Sequence, residues 1–110
     1  MNVVSLTSLG EEQLEAARAA HAGRAAHTVH GGHDHSLRQT VIALAAGHRL
    51  DDHESPGEAT LFVLKGHVRL GTPAESVDGT VGDLLVIPGE RHHLEGVEDS
   101  VVLLTVVKAV

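Results

Sequence analysis

Ten histidines stand among the 110 residues, and their placement sets out the chemistry open to this chain. A neutral imidazole offers one ring nitrogen to a divalent ion while a hydrogen bond holds the other. Three groups have spacing suited to that use. They are His53 within Asp51-Asp52-His53-Glu54, the adjacent pair His92-His93 after Pro88-Gly89, and His33-x-His35 in a glycine-flanked run that begins at Val29. Imidazoles two apart on a strand share a face and can share an ion. Other chemistries have fewer candidates. Cysteine is absent, which removes thiolate ligation, disulfides and a Cys nucleophile. No serine stands beside a base and no carboxylates pair at recognisable spacing, so no catalytic residue is assigned. An interior histidine is the acid or base that remains.

The elements that must position these side chains are short. From Leu37 onward, apolar runs alternate with turn residues, the punctuation of an all-β sandwich or barrel. Strands are expected over 38–46, 49–54, 60–65, 67–71, 75–81, 84–87, 92–97 and 101–107. The intervals between them leave no room for crossover helices, so the sheet should be antiparallel. Closing it into a barrel removes exposed edges. Ahead of the strands, Ser8-Leu9-Gly10-Glu11 fits a capping box. The Ala- and Glu-rich run after it reads as one short helix to about residue 20, with Leu14, Ala17 and His21 along a face. Residues 25–30 fit neither period, and Gly31-Gly32 marks a turn. The organisation expected is a helix and histidine-rich extension over 1–36 followed by a barrel over 37–110.

Two segments in the barrel region carry a resemblance. The first begins Gly47-His48-Arg49-Leu50-Asp51-Asp52-His53 and ends Val63-Leu64-Lys65-Gly66; the second reads Gly82-Asp83-Leu84-Leu85-Val86-Ile87-Pro88-Gly89-Glu90-Arg91-His92-His93. Together they resemble the two motifs of the cupins, in particular the small single-domain, cupin-2-like conserved barrels. The resemblance implies an all-β, cupin-type antiparallel β-barrel (jelly roll) with a short N-terminal helix. It also implies a metal site inside the barrel. Gly47 and Gly66 take the two glycine positions of the first motif and His53 takes its first ligand position. Ser55 stands where the second histidine is expected, and Ala59 where the glutamate is expected. Glu58 is one residue away from that lost position, and a strand pleat sends it outward unless a bulge intervenes. In the second motif Gly82 and Pro88 match, strict counting puts His93 at the ligand position, and a turn shorter by one residue puts His92 there instead. Val97 replaces the family's asparagine. Neighbouring strand residues face opposite ways, so one of the two histidines looks inward and the other outward. The metal candidates are therefore His53, His92 and His93, with iron, manganese, nickel or zinc as ions that suit imidazole. His48, His33 and His35 are further donors that could complete an incomplete set.

Composition narrows the partners. Fifteen acidic against eight basic residues give a formal net charge of −7, and there is one Phe with no Trp or Tyr. A nucleic-acid partner is not expected, because neither a basic surface nor aromatic platforms are present. No apolar run is long enough to span a bilayer and the amino terminus has no signal-peptide pattern, so a cytoplasmic protein is expected, with no membrane partner. The core must be Val, Leu, Ile and Ala, residues that suit a pleated sheet. Val101-Val102-Leu103-Leu104-Thr105-Val106-Val107 exceeds simple alternation, which implies burial on both faces and, in a small barrel, a homodimer. The functional expectation is a cupin-fold protein that binds a small molecule, with a divalent metal inside the barrel. The alternative is a metal-dependent enzyme of dioxygenase or isomerase type.

Overall fold

A computed structural model describes residues 1–54 and 57–108. One helix, α1 (Leu6–Ala19), precedes nine strands: β1 (Arg24–His30), β2 (Leu37–Leu44), β3 (Arg49–His53), β4 (Glu58–Lys65), β5 (His67–Gly71), β6 (Ser76–Thr80), β7 (Leu84–Val86), β8 (His92–Gly96) and β9 (Ser100–Val107). They form a five-stranded sheet in the order β1-β2-β9-β4-β7 and a four-stranded sheet in the order β3-β8-β5-β6. Every pairing recorded between them is antiparallel.

The two sheets enclose an aliphatic core. Ile42, Leu44, Leu61, Val63 and Val102 meet Val68, Leu70 and Leu94 from the opposite sheet, all buried. Alternation explains the choice: Leu61 and Val63 on β4 point inward, while Phe62 between them is more than a third exposed. On β9, Val102 and Val106 also face this core, but Val101 faces the other way, into a second cluster with Leu14, Ala17, Val41 and Ala43. The double-sided apolarity of β9 is thus met within the chain, by α1 lying on the outer face of the five-stranded sheet.

The helix starts earlier than the capping box predicts. Ser5 is the N-cap, and its Oγ accepts the Ser8 N–H at 3.2 Å, so Ser8 lies in the first turn. The buried face runs Gly10, Leu14, Ala17, an i, i+4, i+7 stripe. His21 falls beyond the helix and is exposed. Asp99 fixes the far end of α1. Its carboxylate accepts from Arg18 Nε at 2.8 Å and from the Ala46 N–H at 2.8 Å, tying the helix to the turns after β2 and β8. The Ala46 amide first, then Arg18, hold the Asp99 pKa below its ordinary value.

The eight expected strands lie within two residues of their observed bounds. Residues 25–30, which fitted neither period, fall in β1, which pairs with β2 with a register shift between Thr28 and His30. The outer face of the four-stranded sheet is a charge ladder. Arg69 donates to both oxygens of Asp78, at 2.8 and 3.2 Å, and His67 Nε2 lies 2.8 Å from the same carboxylate. The Arg69 guanidinium, and after it His67, lower the Asp78 pKa to about 2.

Candidate functional site

The site is built where β3 ends and β8 begins. Leu50 pairs with Leu94, and three residues later His53 pairs with His92, so β3 spends three residues against two of its partner. That extra residue is a bulge, and it sets which side chain stands beside His92. With regular alternation from Leu50, Asp52 would take that place. The bulge gives it to His53 and turns Asp52 toward the outer face, where its carboxylate lies 3.3 Å from His93 Nδ1 and 3.8 Å from an Arg49 nitrogen.

The rings of His53 and His92 are 4.4 Å apart, centre to centre, inclined at 68°. Each is oriented in the same way. His92 Nδ1 is 2.9 Å from the Glu90 carbonyl oxygen, and His53 Nδ1 is 2.9 Å from the Asp51 carbonyl oxygen. A carbonyl only accepts, so each Nδ1 carries a proton and each neutral ring leaves a lone pair on Nε2. His92 is 2% exposed, and its Nε2 is buried with no hydrogen-bond partner among the described residues. Buried polar atoms are satisfied in the great majority of cases, which makes this one conspicuous.

Other candidates fall elsewhere. His93 is on the opposite face from His92, its ring packed over Gly71, where a Cβ would lie 2.6 Å from Nε2. The question left open between His92 and His93 is answered for orientation: His92 looks inward. His53 is exposed at the rim, so its expected enclosure is corrected. The bulge places it at the strand's last residue. Glu58 is exposed and Ala59 beside it is buried, as the pleat requires. His48 is exposed, its ring occupying the space next to Gly23. His35 Nδ1 accepts the Gly32 N–H at 3.0 Å, and the His30 and His35 rings are 5.2 Å apart. Arg38 reaches the His33 and His35 carbonyls and pins this turn. Ser55, the residue at the second ligand position, lies outside the described residues. Among the described residues, no group of three or more His, Asp or Glu side chains is placed to share an ion.

Sequence spacing did not reveal the contacts that hold β3 and β8 together here. Arg91 donates to Glu54 Oε1 at 3.3 Å and to the Asp52 carbonyl at 3.4 Å, bracing the strand end that carries His53. The signal available was only an arginine opposite an acidic run.

No family model matches the sequence, nor does any curated protein. Solved structures do match. A conserved protein of unknown function from Streptococcus pyogenes superposes with a TM-score of 0.75 at 26% identity, over 99% of this chain and 89% of the other. An RmlC-like cupin from Desulfovibrio desulfuricans matches with a TM-score of 0.67 at 25% identity, over 76% and 81%. The chain has the cupin fold. A salicylate 1,2-dioxygenase from Pseudaminobacter salicylatoxidans shares that fold at 16% identity, with a TM-score of 0.75, over 91% of this chain and 33% of its own. In this chain the two motif segments meet as β3 and β8, and the donor set they bring together is a pair of imidazoles. No helix among the described residues is long and apolar enough to cross a membrane.

The residues present fit a divalent transition ion to the extent of two donors. In its neutral form each ring has the tautomer that ligating histidines use, Nδ1–H on a backbone carbonyl and Nε2 as the donor atom. Catalytic metal centres usually hold three protein ligands, so an ion here would keep positions for solvent or a bound molecule.

Proposed function

We propose that this cupin binds a small molecule at the mouth of its barrel, with His53 and His92 holding a divalent iron, manganese, nickel or zinc ion that the ligand helps to coordinate. The observation that carries this reading is the buried Nε2 of His92, unpartnered among the described residues, beside a second ring with the same orientation. When bound, such an ion would polarise a ligand oxygen. The chain's own contribution is to fix both ring orientations through the Asp51 and Glu90 carbonyls and to keep the His92 face dry. A metal-dependent enzyme of dioxygenase or isomerase type is the second reading, favoured by the coordination positions that two protein donors leave free.

Elemental analysis of tag-free protein, purified without nickel resin and dialysed mildly, tests the site. The native chain should retain or take up a divalent ion, and His53→Ala should bind it at least about tenfold more weakly, since even outer partners of ligands cost about 10–100-fold. Equal uptake by the variant would remove His53 from the site.

We also read the chain as a homodimer. Phe62, Leu84 and Val86 lie together on β4 and β7, exposed by 37%, 61% and 73%, beyond the reach of α1. Clustered apolar exposure of this kind marks an interaction surface, and a second copy is the commonest occupant. Leu84→Asp should reduce the mass measured by light scattering from that of a dimer to that of a monomer. An unchanged mass would place the dimer contact elsewhere or exclude it.

A further inference from the structure

β1 and β3 are each an edge strand of their sheet, and the barrel is open along the side between them. Register places Arg24, Ala26 and Thr28 of β1 opposite Leu44, Ile42 and Thr40 of β2. Cross-strand partners share a face, so these three point to the same side as the buried Leu44 and Ile42, toward the barrel. All three are nevertheless exposed, because no strand of the opposite sheet covers them. The result is a lateral groove of about 280 Å³ lined by Arg24, Ala25, Ala26, Ile42 and Leu50. Its walls are aliphatic and its one charged group is a guanidinium. Neither His53 nor His92 lines it.

Arg24 is distinct among the arginines. Arg18, Arg49, Arg69 and Arg91 each pair with a carboxylate, and Arg38 donates to two backbone carbonyls. The Arg24 side chain has no hydrogen bond or ion pair among the described residues, although the chain carries an excess of acidic groups. An unpaired guanidinium at the end of an apolar trough is complementary to a carboxylate with a short apolar body. Ala26 leaves the trough open, since a larger side chain there would fill it.

We propose that the seam between β1 and β3 is a binding site for a small monocarboxylate, whose apolar body rests on Ala26, Ile42 and Leu50 and whose carboxylate pairs with Arg24. The volume lies at the lower end of the range for small-molecule sites, which limits the body to a short chain or a single ring. The site is separate from the imidazole pair and stands or falls independently of metal binding there.

Amide-resolved NMR titration of the full chain with hexanoate, against neutral 1-hexanol as its uncharged counterpart, tests the assignment. Hexanoate should shift the amides of Ala25, Ala26 and Leu50 and bind about tenfold more tightly than hexanol, as expected for one charge-assisted pair. Arg24→Gln should erase that preference and Arg24→Lys should restore part of it. Ala26→Leu should abolish both titrations while amides away from the seam keep their positions. No shift at Ala26 and Leu50 up to concentrations on the order of 10 mM would overturn the proposal. So would equal hexanoate affinity in native protein and Arg24→Gln, which would reduce Arg24 to a charge that guards a free edge.

Discussion

His92→Leu is expected to lose divalent metal binding and, in the metal-free state, to unfold at a temperature no lower than that of the native chain. The two effects have one cause. His92 is buried with Nε2 unpartnered among the described residues, and a buried group left without a hydrogen bond costs about 1–3 kcal/mol. Leucine removes that cost and adds apolar contact in a site bordered by core residues. Against this stands the lost bond from Nδ1 to the Glu90 carbonyl, about 1 kcal/mol. The balance is near zero or favourable. Metal should then separate the proteins: an ion at a hundred times its dissociation constant stabilises the native chain by about 2.7 kcal/mol and the variant not at all. For a domain of this size each kcal/mol moves the midpoint by about 4–8 °C, well within reach of calorimetry. A variant that melts far below the metal-free native chain, or that still gains stability from added metal, would show that His92 serves the core and not an ion.

The largest loss of stability from a single methyl group is expected at Gly66. Its φ is +85°, and a Cβ there would run into the Asp99 carbonyl and Ser100 Oγ and lie 2.9 Å from Ser100 Cα. The surrounding contacts cannot shift cheaply. Ser100 is 1% exposed, and its hydroxyl accepts the His67 N–H at 3.0 Å while its own proton faces the Glu98 carbonyl at 2.8 Å. Gly66→Ala therefore combines a left-handed backbone cost of about 1–2 kcal/mol with overpacking of about 1–3 kcal/mol. Gly82→Ala provides the comparison, since Gly82 has φ +90° but nothing within 4 Å of its Cβ. That variant should show the backbone cost alone, and urea midpoints will separate the two. Equal losses would mean that the crowding at Gly66 relaxes freely.

The strands were legible because their ends carry turn chemistry: Gly66 and Gly82-Asp83 punctuate the aliphatic runs. β1 was not legible. Ala25-Ala26-His27 has neither β-branched residues nor alternation, and its pairing with β2 is a tertiary choice. The helix start shifted to Ser5 because two serines three apart both offer a cap and the apolar stripe selects the first. His53 was legible as a candidate, but its partner was not. Choosing between His92 and His93 needs the length of the turn after Pro88, and the partner of His92 depends on a bulge that no residue type announces. The tautomers of the two rings depend on backbone carbonyls and lie beyond any reading of side chains.

Covering only one wall of the barrel divides the molecule mechanically. β2 and β9 are pressed between the core and α1, whereas the four-stranded sheet has a charged, solvated exterior. Segments with few buried contacts open at lower free energy than doubly packed ones. Thermal breathing should therefore concentrate in the thinner wall, which carries both imidazoles and one lip of the seam, while the helix-backed wall acts as the rigid frame against which it moves.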